Sequence, residues 1–299
     1  MTVLVTGAGG FVGRHVVRQL AADGVRLRAM VRDVRGARAL EGLDCELVRG
    51  DVTDLASLRA ATRGCRAVVH LVAIIAGRPE DFERVMVAGA GNVVEAARDA
   101  GVRRFVLMSA LGVGPPARGS VPYFRAKWTA EETVRRCGLG HAILRPSFVF
   151  GPDGGVLPRF LRLARLAPVT PVIGRGTQRL QPIWVEDVAR AAALALARDD
   201  DVLVELGGPD VVDWNELWRR LEEVLDTRRP AVHLPAWLLR GPAAVLERLP
   251  GPLLTRDQLR MLELGDNVVS DGGAGMRDLG LREPLPLAAQ LARAAAAAA

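Results

Sequence analysis

Short apolar runs alternate with amphipathic stretches through the first half of the chain. Residues 3–6, 27–31, 46–48, 67–72, 104–108 and 142–144 are short, mostly apolar runs bounded by Gly, Asp or Pro, which predicts strands. Between them, residues 13–23 place Val16, Val17 and Leu20 on one helical face, and residues 82–100 do the same with Val85, Ala88 and Val93. Strand and helix in strict alternation build βαβ units, so the fold class predicted is α/β, a doubly wound parallel sheet with helices on both faces.

After Arg145-Pro146 the pattern changes. Pro146, Pro152, Pro158, Pro168, Pro171 and Pro182 break the apolar segments into short pieces, which predicts loops and helices over a pocket rather than more sheet. Two further helices are predicted at 185–197 and 214–225, the second capped by Asp213. The organisation expected is a nucleotide-binding domain at 1–145 and a smaller substrate cap at 146–288 with segments returning to the first domain. The end, 285–299, is predicted as a helix whose alanine-rich tail at 289–299 should fray.

Composition narrows the classes. The chain has 299 residues, 49% hydrophobic and 25% charged, which is globular. A net charge of +6 would admit nucleic acid, but the basic residues are scattered without a binding motif, so no nucleic-acid partner is expected. Cys45, Cys65 and Cys137 stand far apart, and His15, His70, His141 and His233 lack ligand spacing, so neither disulfides nor a metal site is expected. The longest apolar run, 67–76, is too short to span a bilayer, and the start lacks signal-peptide features. A cytoplasmic protein follows as the expectation.

The segment Thr6-Gly7-Ala8-Gly9-Gly10-Phe11-Val12-Gly13 follows the first strand and opens a helix. In that context a glycine pattern binds a dinucleotide pyrophosphate. Gly7 permits the turn, Gly10 lets backbone approach the phosphates and Gly13 lets helix pack closely on strand, while free N–H groups along Gly9 to Gly13 meet the anion. The second strand ends at Val31-Arg32-Asp33. Arg32 suits a 2′-phosphate and favours NADP; Asp33 on the ribose hydroxyl would favour NAD instead. Asp51 and Val52 follow the third strand, where they meet the adenine edge, or Asp51 caps the next helix.

Of the 40 basic residues, every one except Lys127 is arginine, and the only tyrosine, Tyr123, lies four residues before it. Spacing i, i+4 puts both on one helical face. A phenol is a poor acid/base at neutral pH until a neighbouring ammonium stabilises its phenolate; it can then exchange a proton with a carbonyl oxygen while hydride moves.

Together these segments resemble the short-chain dehydrogenase/reductase superfamily, in its extended or atypical branch. The resemblance runs over nearly the full length: the glycine turn, Val68-Val69-His70-Leu71-Val72-Ala73, Ser109, Tyr123-x-x-x-Lys127, Arg145-Pro146-Ser147-Phe148-Val149-Phe150-Gly151-Pro152 and Trp184-Val185-Glu186-Asp187. It implies a Rossmann-type domain with a C-terminal substrate cap. It also implies Tyr123 as acid/base, Lys127 as partner of Tyr123 and of the nicotinamide ribose, and Ser109 as donor to the substrate carbonyl. Leu71, Val72 and Pro146 join the cofactor-binding set. Within the branch, Pro171-Val172-Ile173-Gly174, Gln181-Pro182-Ile183-Trp184 and Asp266-Asn267-Val268 look like the nucleotide-binding accessory subunit of respiratory complex I and its bacterial relatives.

Two departures matter. The superfamily's relay asparagine is replaced by Met86, and a thioether cannot relay a proton, so water must do so or turnover is slow. Ser109 is followed by Ala110 where sugar-nucleotide epimerases carry a second hydroxyl, which weakens that substrate class. Phe148, Phe150, Phe160 and Trp184 would give the cap an apolar surface for a quinone-like or isoprenoid small molecule, or form its core. The expected function is an NAD(P)-dependent oxidoreductase with tyrosine acid/base chemistry. The alternatives are a non-catalytic NADP(H)-binding accessory protein and a sugar-nucleotide epimerase or dehydratase. The sequence leaves the oligomeric state open.

Overall fold

The structure is a computed structural model and describes residues 2–115, 121–235, 237–238 and 256–298. Its first 146 residues run β1 (Thr2–Thr6), α1 (Phe11–Ala22), β2 (Arg26–Val31), α2 (Val34–Arg38), β3 (Glu46–Arg49) and α3 (Leu55–Thr62). There follow β4 (Ala67–His70), α4 (Pro79–Phe82), a π-helical segment (Glu83–Ala88), α5 (Gly89–Asp99), β5 (Arg104–Met108), α6 (Pro122–Arg135) and β6 (Gly140–Pro146). Beyond them lie β7 (Val149–Phe150), α7 (Leu157–Leu166), β8 (Thr170–Ile173), β9 (Arg179–Leu180), β10 (Ile183–Trp184), α8 (Val185–Leu196), β11 (Val202–Leu206), β12 (Val212–Asp213), α9 (Trp214–Val224) and β13 (Ala231–Leu234). Helices Arg256–Glu263, Ala274–Leu279 and Leu287–Ala297 close the chain.

The chain forms two compact units. The first takes the described parts of residues 1–146, 185–206 and 271–282. Its seven strands form one parallel sheet in the order β11-β6-β5-β4-β1-β2-β3. Helices on both faces bury the central strands completely, which is why Val3, Leu4 and Val5, or Ala67, Val68 and Val69, occur as unbroken apolar runs. Burial of that apolar surface, at about 25 cal/mol per Å², is the main force holding the sheet. The strand order reverses between β1 and β4. Each flank of that point sends its carboxyl ends to the same edge, where ligands of open α/β sheets bind.

The second unit comprises the described parts of residues 147–184, 207–270 and 283–299. Contrary to the sequence expectation, it contains strands: β10 pairs with β7, β12 with β9 and β13 with β8. These are two to four residues long, too short for a hydrophobic period to register. Asp213 caps α9 as expected, accepting from the Glu216 N–H at 2.8 Å. The alanine-rich end is the helix expected, but packed rather than frayed. Leu287, Leu291 and Ala294 are buried with Leu157, Leu161 and Leu217, and Arg165 donates to the carbonyls of Ala295 and Ala298 at 3.1 and 2.7 Å.

The four aromatic residues expected in the cap take the core role. Phe150 and Trp184 are buried, and Phe148 and Phe160 meet the Trp214 ring edge-on, each at 5.7 Å. The segments around Gln181 and Asn267 likewise bind one another. Gln181 donates to the Gly208 carbonyl and accepts from Val269 N–H, while Ser147 donates to Asn267 Oδ1 at 2.6 Å. Among the described residues no helix is long and apolar enough to cross a membrane, and no cluster of three or more His, Cys, Asp or Glu side chains could hold a metal ion.

Candidate active site

The turn after β1 works through backbone. Gly7 has φ +73°, a conformation that costs side-chain-bearing residues energy, and it lies against the chain at Leu71 and Val72. A Cβ on Gly13 would stand 2.1 Å from the Gly7 carbonyl oxygen and 2.7 Å from that of Ala8, so α1 can reach the turn only with glycine there. Gly10 caps α1 without a side chain, leaving its first-turn N–H groups for a ligand. This cradle fits a dinucleotide pyrophosphate.

Its neighbours complete the edge. Leu71 and Val72 extend from β4 at the loop; β4 itself ends at His70, two residues before the predicted end. Arg32 and Asp33 are exposed after β2. Asp51 is not the helix cap: Asp54 caps α3, accepting from Ala56 and Ser57, while Asp51 accepts from the Thr53 N–H and hydroxyl at 2.9 and 2.8 Å. Partial burial raises the Asp51 carboxyl, but those bonds and the charges of Arg32 and Arg84 outweigh it and leave it below its ordinary value. Val52 is buried, its carbonyl taking an Asn92 side-chain N–H at 2.9 Å. Pro146 ends β6, and its carbonyl accepts from Leu111 N–H at 2.8 Å.

Lys127 and Tyr123 lie on α6, one turn apart, as the spacing predicts. The Lys127 ammonium is buried, donates to the Met108 carbonyl at 2.6 Å and stands 5.9 Å from the centre of the Tyr123 ring. Burial pushes this lysine down to about 8, opposed by the Glu131 carboxylate. Tyr123 packs into an apolar cluster of Phe82, Met86 and Ala126, with Ile74 and Val87 at its margin. Here the expectation of a lowered phenol is corrected: loss of water pushes Tyr123 up to about 12, so desolvation outweighs the neighbouring ammonium. Met86, at the relay position, belongs to that cluster and to the π-helical segment, a distortion found often at functional sites.

Ser109 also departs from its expected role. It is buried, and its hydroxyl donates to Glu131 Oε1 at 2.5 Å. A hydroxyl has one proton, so in this arrangement Ser109 has none to offer a substrate carbonyl. Glu131, absent from the sequence prediction, is completely buried and also accepts from Arg145 at 2.8 and 2.6 Å and from Arg135 at 2.7 Å. His70, equally unforeseen, shares a 2.7 Å hydrogen bond with the Thr6 hydroxyl beneath the glycine turn. Burial, then the Lys127 charge, push its imidazole down to about 3, so it is neutral.

Comparison with known proteins agrees with this geometry. The model of the NAD dependent epimerase/dehydratase family matches residues 3–207. The chain is 35% identical over 237 residues to ceramide reductase of Caulobacter vibrioides, covering 78% of this chain and 73% of that protein. It is 29% identical to NADH dehydrogenase [ubiquinone] 1 alpha subcomplex subunit 9 of Arabidopsis thaliana, covering 93% and 73%. The UDP-glucose 4-epimerase structure from Thermotoga maritima shares the fold at TM-score 0.80 and 21% identity, covering 99% and 98% of the two chains. The chain belongs to the NAD-dependent epimerase/dehydratase family, in the extended short-chain dehydrogenase/reductase class.

Proposed function

We propose that the protein is an NADP(H)-dependent reductase of an apolar carbonyl compound, with Tyr123 as the proton donor. The observation that carries this reading is the chain's sole tyrosine, held protonated in an apolar cluster one helical turn from its sole, buried lysine. Reduction of a carbonyl needs an acid; the phenol holds its proton at neutral pH, and the Lys127 ammonium one turn away would stabilise the phenolate that forms.

Gly7, Gly10, Gly13 and the first N–H groups of α1 would hold the pyrophosphate, Arg32 the 2′-phosphate, and Leu71 and Val72 the flank of the cofactor. When bound, the dinucleotide supplies the hydride that goes to the carbonyl carbon. Tyr123 then passes its proton to the oxygen, giving the alcohol, and Lys127 stabilises the phenolate left behind until solvent reprotonates it. Ile74, Met86 and Val87 around Tyr123 favour an apolar substrate, and the similarity to a ceramide reductase points the same way. With Ser109 committed to Glu131, the substrate oxygen relies on Tyr123 alone among the three expected side chains.

Met86 favours a second reading, a nucleotide-binding accessory protein without turnover, in line with the complex I subunit it resembles. A melting-temperature titration with NADPH and NADH, followed by NADPH oxidation with a long-chain ketone in detergent micelles, separates the two. A ligand at 100 times its Kd adds about 2.7 kcal/mol. Stabilisation with ketone-dependent oxidation supports the reductase. Stabilisation without oxidation across a panel of apolar ketones supports the accessory protein.

A further inference from the structure

Two helices of the second unit present arginine and apolar side chains to solvent together, and neither contains a carboxylate. α7 reads Leu-Pro-Arg-Phe-Leu-Arg-Leu-Ala-Arg-Leu, and its inner side, Leu157, Leu161 and Ala164, is buried. The outer side of a surface helix is ordinarily polar. That of α7 is mixed: Leu166 is 73% exposed and Leu163 36%, beside the exposed Arg159 and Arg162. The last helix, Leu287–Ala297, packs against α7 and leaves Arg293 exposed among Ala292, Ala296 and Ala297. A groove of about 350 Å³ lined by Pro158, Leu161, Arg162, Arg165, Leu166 and Ala298 lies where the two meet. Arg165 is committed to the carbonyls of Ala295 and Ala298, whereas Arg162 has no ion pair among the described residues. The carboxylates of α9, which also packs on α7, are engaged elsewhere: Glu216 and Glu223 with Arg219, and Glu222 with the Thr170 hydroxyl.

The occupant of such a face must offer negative charge and hydrocarbon at once. A second copy docked by the same face would set arginine against arginine with no carboxylate in either helix to meet them, and such like-charge contact is costly. A bilayer with anionic headgroups offers both: phosphates for the guanidinium groups and, just beneath them, acyl chains for the leucines. We propose that α7 and the helix Leu287–Ala297 form a docking face for an anionic lipid surface, with Arg159 and Arg162 on the headgroup phosphates and Leu163 and Leu166 in the acyl boundary. This face is built wholly within the second unit, and the proposal stands whether or not the protein is a reductase.

Flotation of the full chain with vesicles tests this. The native protein should float with equimolar phosphatidylcholine and phosphatidylglycerol and stay behind with phosphatidylcholine alone, and the bound fraction should fall as NaCl is raised from about 0.1 M to about 1 M. Arg162→Gln should lower the partition coefficient about fivefold. Leu166→Ser should lower it about tenfold, through lost burial of one leucine side chain. Both side chains are exposed, so the melting temperature and NADPH affinity of each variant should match the native protein; should Leu166→Ser unfold, Arg162→Gln carries the test. No flotation, equal flotation with the two kinds of vesicle, or native partitioning by folded variants overturns the proposal. A dimer seen by sedimentation velocity without vesicles and dissolved by Leu166→Ser also overturns it, and assigns the face to a second copy.

Discussion

In the turn after β1, Gly7, Gly10 and Gly13 keep side chains out of the way, whereas the inner face of α6 brings Lys127 and Glu131 inside the fold with Tyr123 partly buried beside them. In the turn, the groups offered to a ligand would be backbone N–H groups, and what matters is the space a Cβ would fill. On α6 the backbone is ordinary helix, and what matters is how much water has been removed from each charge. The turn should therefore fail by steric exclusion and be nearly indifferent to pH. The helix face should keep its shape under conservative substitution and fail by protonation.

The largest effect expected is in the turn. Gly13→Val puts a Cβ where the Gly7 and Ala8 carbonyl oxygens stand, so α1 must move off the turn. NADPH should then give no melting shift, and affinity by calorimetry should be lost; retained binding would break the steric half of the comparison. Tyr123→Phe keeps the ring in its apolar cluster and removes only the proton. Turnover should fall by about 10²–10⁴, with NADPH affinity unchanged in parallel titrations. Arg32→Ala should reduce the preference for NADPH over NADH by about tenfold, as expected for one charge-assisted phosphate contact, and the ratio of the two dissociation constants reads it. The smallest effect concerns His70. Its folded value of about 3 lies below its ordinary 6.5, so the unfolded chain takes up a proton that the folded one refuses. Its contribution is complete above about 6.5 and is lost as pH falls toward 3. The melting temperature of the native protein should drop more steeply over that window than that of His70→Gln.

Much of the first unit was legible because its signals are local. The apolar runs of β1 to β6, the strand–turn–helix setting of the glycines and the i, i+4 spacing of Tyr123 and Lys127 need no knowledge of distant residues. β11 was missed although Val202, Val204 and Leu206 alternate: three aspartates precede it, and its partner β6 lies 60 residues earlier. The π-helical turn carrying Met86 has no sequence period of its own. Glu131 left a readable trace, an acidic residue in register with Lys127 on a face otherwise made of Ala126, Ala130 and Val134, all buried. The bonding of Ser109 to Glu131 left none, because nothing in a sequence says which way a hydroxyl turns. In the second unit the pairing of Gln181 with Val269, 88 positions away, is likewise invisible to local patterns.

The central claim is that Tyr123 gives its proton to a carbonyl oxygen. NADPH oxidation in the presence of a long-chain ketone, measured side by side for the native protein and Tyr123→Phe at equal occupancy by NADPH, tests it most directly. Ketone-dependent oxidation by the native protein and its near disappearance in Tyr123→Phe is the result expected. Equal rates in the two proteins would contradict it.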